Sequence, residues 1–146
     1  MPRLKKSCLV DVNVWIALAY DLHVHHSVAL KWFEGLGPEQ ALFCRATQLG
    51  FLRLLTNRKV MRNDTLNQLE AWKTYDRTLR DSRVVFVGEP TRLEPELRRL
   101  TKSSLQSTNL WTDAYLAAFA SASGCSVATF DKGFAAMRGV ETTLLN

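Results

Sequence analysis

Cys8-Leu9-Val10-Asp11-Val12 is a short apolar run that ends in an acid, as a strand buried on both faces of a parallel sheet does where it meets the open edge. The same pattern returns at Cys125-Ser126-Val127-Ala128-Thr129, which runs through Phe130 into Asp131. Val84-Val85-Phe86-Val87, β-branched and aromatic and bounded by Gly88 and Pro90, predicts a further strand, and Val140 to Leu145 alternates weakly as an edge strand would. Helical patterns fill the intervals. One follows the first strand through Trp15-Ile16-Ala17-Leu18, and Ser27 to Leu36 repeats Val28, Ala29, Trp32, Phe33 and Leu36 until Gly35 and Gly37 stop it. Thr47 to Leu55 reads as a largely apolar helix, and Asp64 as the N-cap of a long one carrying Leu66, Leu69, Trp72, Tyr75 and Leu79. A short helix is predicted over Pro95 to Leu100, and an alanine-rich one over Asn109 to Ser121, ended by Gly124. Strands alternating with helices predict an α/β fold with a mostly parallel sheet.

The 146 residues hold no repeat, low-complexity tract or linker, so one domain spanning 1–146 is expected. The 47% hydrophobic and 23% charged fractions argue against disorder. No apolar run approaches the ~20 residues that span a bilayer, and Met1 to Ser7 is basic without the apolar segment of a secretory leader. Cys8, Cys44 and Cys125, odd in number and without metal-ligand spacing, fit a reducing cytoplasm. The net charge is +5, and no acidic residue falls between Glu39 and Asp64, where Arg45, Arg53, Arg58, Lys59 and Arg62 lie. Such a stretch favours a polyanionic partner, although a solvated basic face accounts for it equally well.

In an open α/β sheet the functional crevice lies outside the carboxyl ends of the strands. Asp11 and Asp131 stand at two such ends, and Asp113 lies in the first turn of the apolar helix that precedes the second. If that helix starts at the same edge, the three carboxylates converge. Carboxylates gathered without basic partners repel one another, a divalent cation relieves the repulsion, and all-oxygen ligands suit Mg²⁺ or Mn²⁺ better than zinc. Each acid also has an ordinary role open to it: Asp11 as a helix cap, Asp113 beside a helix's positive end, Asp131 in a turn before Gly133.

Other residues divide similarly. His23, His25 and His26 lack the cysteine or acid spacing of a metal site and fit a solvated loop or the lead-in to a helix. Trp15, Trp32, Trp72 and Trp111 are candidates for stacking on bases, but those on apolar stripes fit core or dimer interface better. Arg53, in an otherwise apolar helix, is either paired or turned toward a partner.

Five blocks of the chain resemble one family. Leu9-Val10-Asp11-Val12-Asn13-Val14-Trp15-Ile16-Ala17-Leu18 looks like the opening motif of PIN-domain ribonucleases of the VapC toxin type. His23-Val24-His25-His26-Ser27-Val28-Ala29 resembles the His-rich start of their second helix, and Phe51-Leu52-Arg53-Leu54-Leu55-Thr56-Asn57 the stretch that in many of them follows a site glutamate. Asn109 to Ala118 resembles their third motif and Val127-Ala128-Thr129-Phe130-Asp131-Lys132-Gly133-Phe134 their fourth. The resemblance implies a three-layer α/β/α domain that cleaves single-stranded or structured RNA with Mg²⁺ or Mn²⁺, forms homodimers and is inhibited by a cognate VapB-type antitoxin. It makes Asp11, Asp113 and Asp131 the catalytic, metal-site carboxylates, with Asn13 and Thr129 as polar supports. Arg53, Arg58 and Lys59 are the candidate RNA contacts.

One departure bears on activity. Where many relatives carry a glutamate shortly before Phe-Leu-Arg, this chain has Thr47-Gln48-Leu49-Gly50, and Gln48 is the nearest polar candidate, a neutral amide. Three carboxylates hold a second cation less well than four, so a catalytically impaired PIN-like module that binds RNA or protein is the alternative reading. A phosphatase using Asp11 as nucleophile fits worse, because Asp11-Val12-Asn13 lacks the second acid of that chemistry.

Overall fold

The computed structural model describes residues 7–103, 106–135, 137 and 139–146; the basic residues before Ser7 lie outside it. Five strands form one sheet: β1 (Ser7–Val10), β2 (Gln40–Phe43), β3 (Val84–Phe86), β4 (Ser126–Thr129) and β5 (Thr142–Leu144). Their order is β3-β2-β1-β4-β5, and every neighbouring pair is parallel. The chain builds the sheet outward from β1 in one direction and then in the other. The switch point therefore falls between β1 and β4, where a crevice opens at the carboxyl edge.

Alternation along the strands divides the core into two layers. Cys8, Val10, Ala41, Phe43, Val84 and Ala128 face α1 (Val12–Ala19), α2 (His26–Glu34), α3 (Arg45–Leu55) and α5 (Gln68–Leu79). Leu9, Leu42, Val85 and Val127 face α6 (Leu93–Leu100) and α7 (Leu110–Ser123). Short helices α4 (Arg58–Met61) and α8 (Lys132–Ala135) complete the described elements. This is the three-layer α/β/α arrangement. Gly124, at φ +73°, ends α7 in the left-handed conformation that glycine adopts without steric cost.

Two differences from the sequence reading have physical reasons. β2 has no counterpart in that reading: it is four residues long, and Cys44 alone separates it from the start of α3. The long helix begins at Gln68 and not after Asp64, which closes a 3₁₀ turn. Asn67 is the cap, because its side chain accepts from the Glu70 amide while the Glu70 carboxylate accepts from the Asn67 amide. That reciprocal box has no equivalent three residues after Asp64. Along this helix Ala71 and Tyr75 are buried, whereas Leu69 and Trp72 are exposed.

α3 lies very close to α1. A Cβ added at Gly50 would stand 2.6 Å from Cγ2 of Val12, whose β-branched side chain has little freedom to turn away. Gly50→Ala is therefore expected to destabilise the fold by about 1–2 kcal/mol, overpacking outweighing the gain in helix propensity. In a Val12→Ala background the same change is expected to be neutral or stabilising, which a denaturant-unfolding double-mutant cycle reads directly. A loss of equal size in both backgrounds would contradict the contact.

Candidate active site

Asp11 follows β1 directly and begins α1. Its Oδ1 accepts from the Val12 amide at 2.7 Å, and its Oδ2 accepts from the Thr129 hydroxyl at 2.7 Å across the β1–β4 seam. Thr129 is fully buried, and its Oγ1 also accepts from the Asp131 amide at 3.0 Å. One hydroxyl thus links the first acid's carboxylate to the third acid's backbone. Asp131 is exposed, and its Oδ1 accepts from the Gly133 amide at 2.8 Å as α8 starts. Asp113 sits half-buried in the first turn of α7, on the opposite face of the sheet from α1. The ordinary capping and turn roles of Asp11 and Asp131 are thus realised, but an ionised carboxylate has about four acceptor positions and these bonds use few of them.

The electrostatics join the three acids. Burial raises the Asp113 carboxyl above its ordinary value, and the charges of Asp131 and Asp11 raise it further. Burial raises Asp11 as well; bonds from Thr129 and Val12 pull it back, and the charge of Asp131 pushes it up again. Among the described residues none of the three is in an ion pair. They share one edge and one field, yet no group of three or more His, Cys, Asp or Glu side chains among the described residues is drawn together at metal-holding distance. Convergence into a closed cluster is thus not met. Asp11 and Asp131 are each turned onto a local hydrogen bond. Asn13, two residues after Asp11, adds an unusual acceptor: its Oδ1 is buried and has no hydrogen-bond partner. A buried acceptor left open is costly, and a cation or its hydration shell would satisfy it. Carboxylate and amide oxygens are the ligand type that suits a hard divalent ion.

These shifts carry a pH dependence. A carboxyl raised in the folded state binds its proton more tightly there than in the unfolded chain, so stability falls as pH rises from the ordinary value through the raised one. With chelator present, Asp113→Asn is expected to melt higher than the parent at pH 7, the gap closing as pH falls toward 3.8. Scanning calorimetry across that range checks it, and a parent that melts higher at neutral pH would contradict it.

Gln48 is not a fourth member of this group. It is buried in α3, its Oε1 accepts from the Arg45 guanidinium, and its amide is within hydrogen-bond reach of the Tyr75 hydroxyl. The residue immediately before Phe51 is Gly50, and Val12 fills the space that a side chain there would need. A side chain at position 50 would therefore displace Val12. Arg53, Arg58 and Lys59 are exposed. α3 starts at the acid edge with Arg45 and runs 11 residues away from it. Arg53, eight residues on from Arg45, lies roughly 12 Å along the helix from it, and Arg58 and Lys59 follow beyond the end of α3. Lys132 directly follows Asp131, and Arg45, at the start of α3, lies over the Phe86 ring at 4.8 Å. The sequence reading gave His25 no part at the edge; the structure stacks its ring on Phe130, between Thr129 and Asp131. The aromatic residue between those two polar ones was the available signal.

The PIN domain family profile matches residues 8–140. Ribonuclease VapC41 of Mycobacterium tuberculosis is 42% identical over 142 residues, covering 94% of this chain and 97% of its own length. The chain belongs to the PIN-domain family of VapC-type ribonucleases. Solved structures share the PIN fold at low identity. The crystal structure of VapBC2 from Rickettsia felis, bound to a DNA fragment from its promoter, superposes with a TM-score of 0.71 at 12% identity, over 96% of this chain and 99% of that one. Mycobacterium tuberculosis VapC20, described as a Sarcin-Ricin loop cleaving toxin, gives 0.65 at 20% identity over 92% of this PIN domain and 97% of its own chain. Among the described residues of this PIN domain no helix is long and apolar enough to cross a membrane.

Proposed function

We propose that residues 1–146 form one PIN domain that hydrolyses phosphodiester bonds of RNA, with Asp11, Asp113 and Asp131 holding Mg²⁺ or Mn²⁺ at the β1–β4 edge. The observation that carries this reading is the set of three acids at the sheet's switch point, where the charges of Asp131 and Asp11 bear on Asp113 and that of Asp131 on Asp11, and where no cation is paired to them among the described residues. An ion held there supplies Lewis acidity toward the phosphate and lowers the pKa of bound water. The chain's own part is positional. Thr129 fixes the rotamer of Asp11 and ties it to the Asp131 backbone, Asp113 brings its charge from the opposite layer, and Asn13, two residues after Asp11, has a buried Oδ1 without a hydrogen-bond partner. The test is cleavage of a single-stranded RNA that requires Mg²⁺ or Mn²⁺ and stops with EDTA. A chain that binds RNA and never cuts it, with either ion, would favour the impaired binding module, for which the closed position at Gly50 speaks.

The RNA follows the basic residues of the acid-free stretch. Because Arg58 and Lys59 lie beyond the far end of α3, their double alanine variant is expected to weaken binding of a long RNA across sequences and flatten its salt dependence. Turnover of a dinucleotide-length substrate should be unaffected. An unchanged salt slope for the long RNA would remove this stretch from the RNA path. The partners belonging to this reading are a VapB-type antitoxin and a second copy of the chain. One antitoxin Arg or Lys placed among the acids would take the cation's place by charge-assisted hydrogen bonds.

A further inference from the structure

The turn before α2 reaches Phe130, the residue between Thr129 and Asp131. His23 donates its backbone N–H to the Tyr20 carbonyl at 3.0 Å, the His26 amide to the His23 carbonyl at 3.0 Å, and the Ala29 amide to the His25 carbonyl at 3.0 Å. Side chains pin it further: Nδ1 of His23 accepts from the His25 amide at 3.0 Å, and the His26 ring bonds the Ala17 carbonyl at 2.7 Å. The exposed His25 ring is thereby held against Phe130, centroids 4.8 Å apart and planes 24° from parallel. Phe130 is half-buried on the α1–α2 side of the sheet and stands between Thr129, whose hydroxyl holds Asp11, and Asp131. Asp113 comes from the α7 side. The acids are thus flanked on one side by an ordered two-ring pile that no packing need explains, since its outer ring lies in solvent. Trp111, exposed in the first turn of α7, stacks on no ring among the described residues.

We infer that His25, backed by Phe130, is a stacking platform for an unpaired nucleobase of the RNA and so positions the phosphate beside the acids. A π-face accepts any base, so the platform selects for unstacked, single-stranded nucleotides over a sequence. This rests on the ribonuclease reading above.

The probe is a single-stranded RNA carrying 2-aminopurine at successive positions, mixed with the full chain in EDTA so that no turnover occurs. Stacking quenches its fluorescence. Quenching is expected at one position in the parent and in His25→Tyr, and to be lost in His25→Ala and reduced in Phe130→Leu. With Mn²⁺ present, His25→Ala is expected to raise KM on the order of tenfold with kcat within about twofold, and His25→Tyr to restore it. Parent-like quenching and KM in His25→Ala would overturn the inference, as would a His25→Tyr variant as weak as His25→Ala. So would an effect of His25→Ala confined to binding of a protein partner. If His25→Ala proves unstable by circular dichroism, His25→Leu against His25→Tyr makes the same comparison. A parent that cuts RNA in an Asp113-dependent way while ignoring His25 defeats only this inference. A parent that neither binds nor cuts RNA defeats the ribonuclease reading together with it.

Discussion

Asp113→Asn is expected to lower RNA cleavage by at least about a hundredfold while the fold stays intact. Groups that merely orient a metal's ligands cost 10–100-fold when removed, so a carboxylate that itself holds the ion costs more. The change is nearly isosteric and removes a charge that the structure already disfavours: burial and the neighbouring acids raise the Asp113 carboxyl. It should therefore leave the melting temperature unharmed, which separates loss of function from loss of structure. Asp11→Asn is expected to do the same to cleavage but with some cost in stability, because its carboxylate caps α1 and receives the Thr129 hydroxyl. Single-turnover cleavage with saturating Mn²⁺ reads both. Cleavage by Asp113→Asn at the parent rate would place the chemistry elsewhere.

Phe43→Ala is expected to have the largest effect on stability, about 3–5 kcal/mol and on the order of 10 °C in Tm. Phe43 is fully buried at the end of β2, where its ring stacks on Trp15 at 3.8 Å and 6°, meets Tyr75 edge-on at 5.1 Å and tilts against Phe51 at 5.7 Å. It therefore joins β2 to α1, α3 and α5 at once. Deleting it removes its burial, leaves a cavity and breaks ring pairs worth about 0.5–1.5 kcal/mol each beyond area. Phe43→Leu should lose far less. Urea unfolding with an unchanged m-value is the measurement, and a loss under about 1 kcal/mol would contradict the packing described.

The parallel core was legible because β1 and β4 are short apolar runs that stop at an acid, and because helices separate them. β2 was not, since four residues between Pro38 and the Cys44 cap carry too little period to tell strand from helix. At α5 two capping residues three apart competed, and Glu70 decides for Asn67. The placement of the acids was legible: Asp11 and Asp131 follow β1 and β4, and Asp113 lies in the first turn of α7. What each carboxylate does there was not legible, because the partner of Asp11 is Thr129, 118 residues away, and no spacing announces it. Gln48 was the nearest polar candidate by proximity in sequence. Its engagement by Arg45 and Tyr75, and the contact of Gly50 with Val12, depend on how α1, α3 and α5 pack.

Calorimetric titration of Mn²⁺ into the parent chain and into Asp11→Asn, Asp113→Asn and Asp131→Asn tests the metal-site assignment most directly. The account predicts binding by the parent and at least about tenfold weaker binding in each variant, because each removes one charge from the same site. Parent affinity retained in all three variants, or no Mn²⁺ bound by the parent, would contradict it.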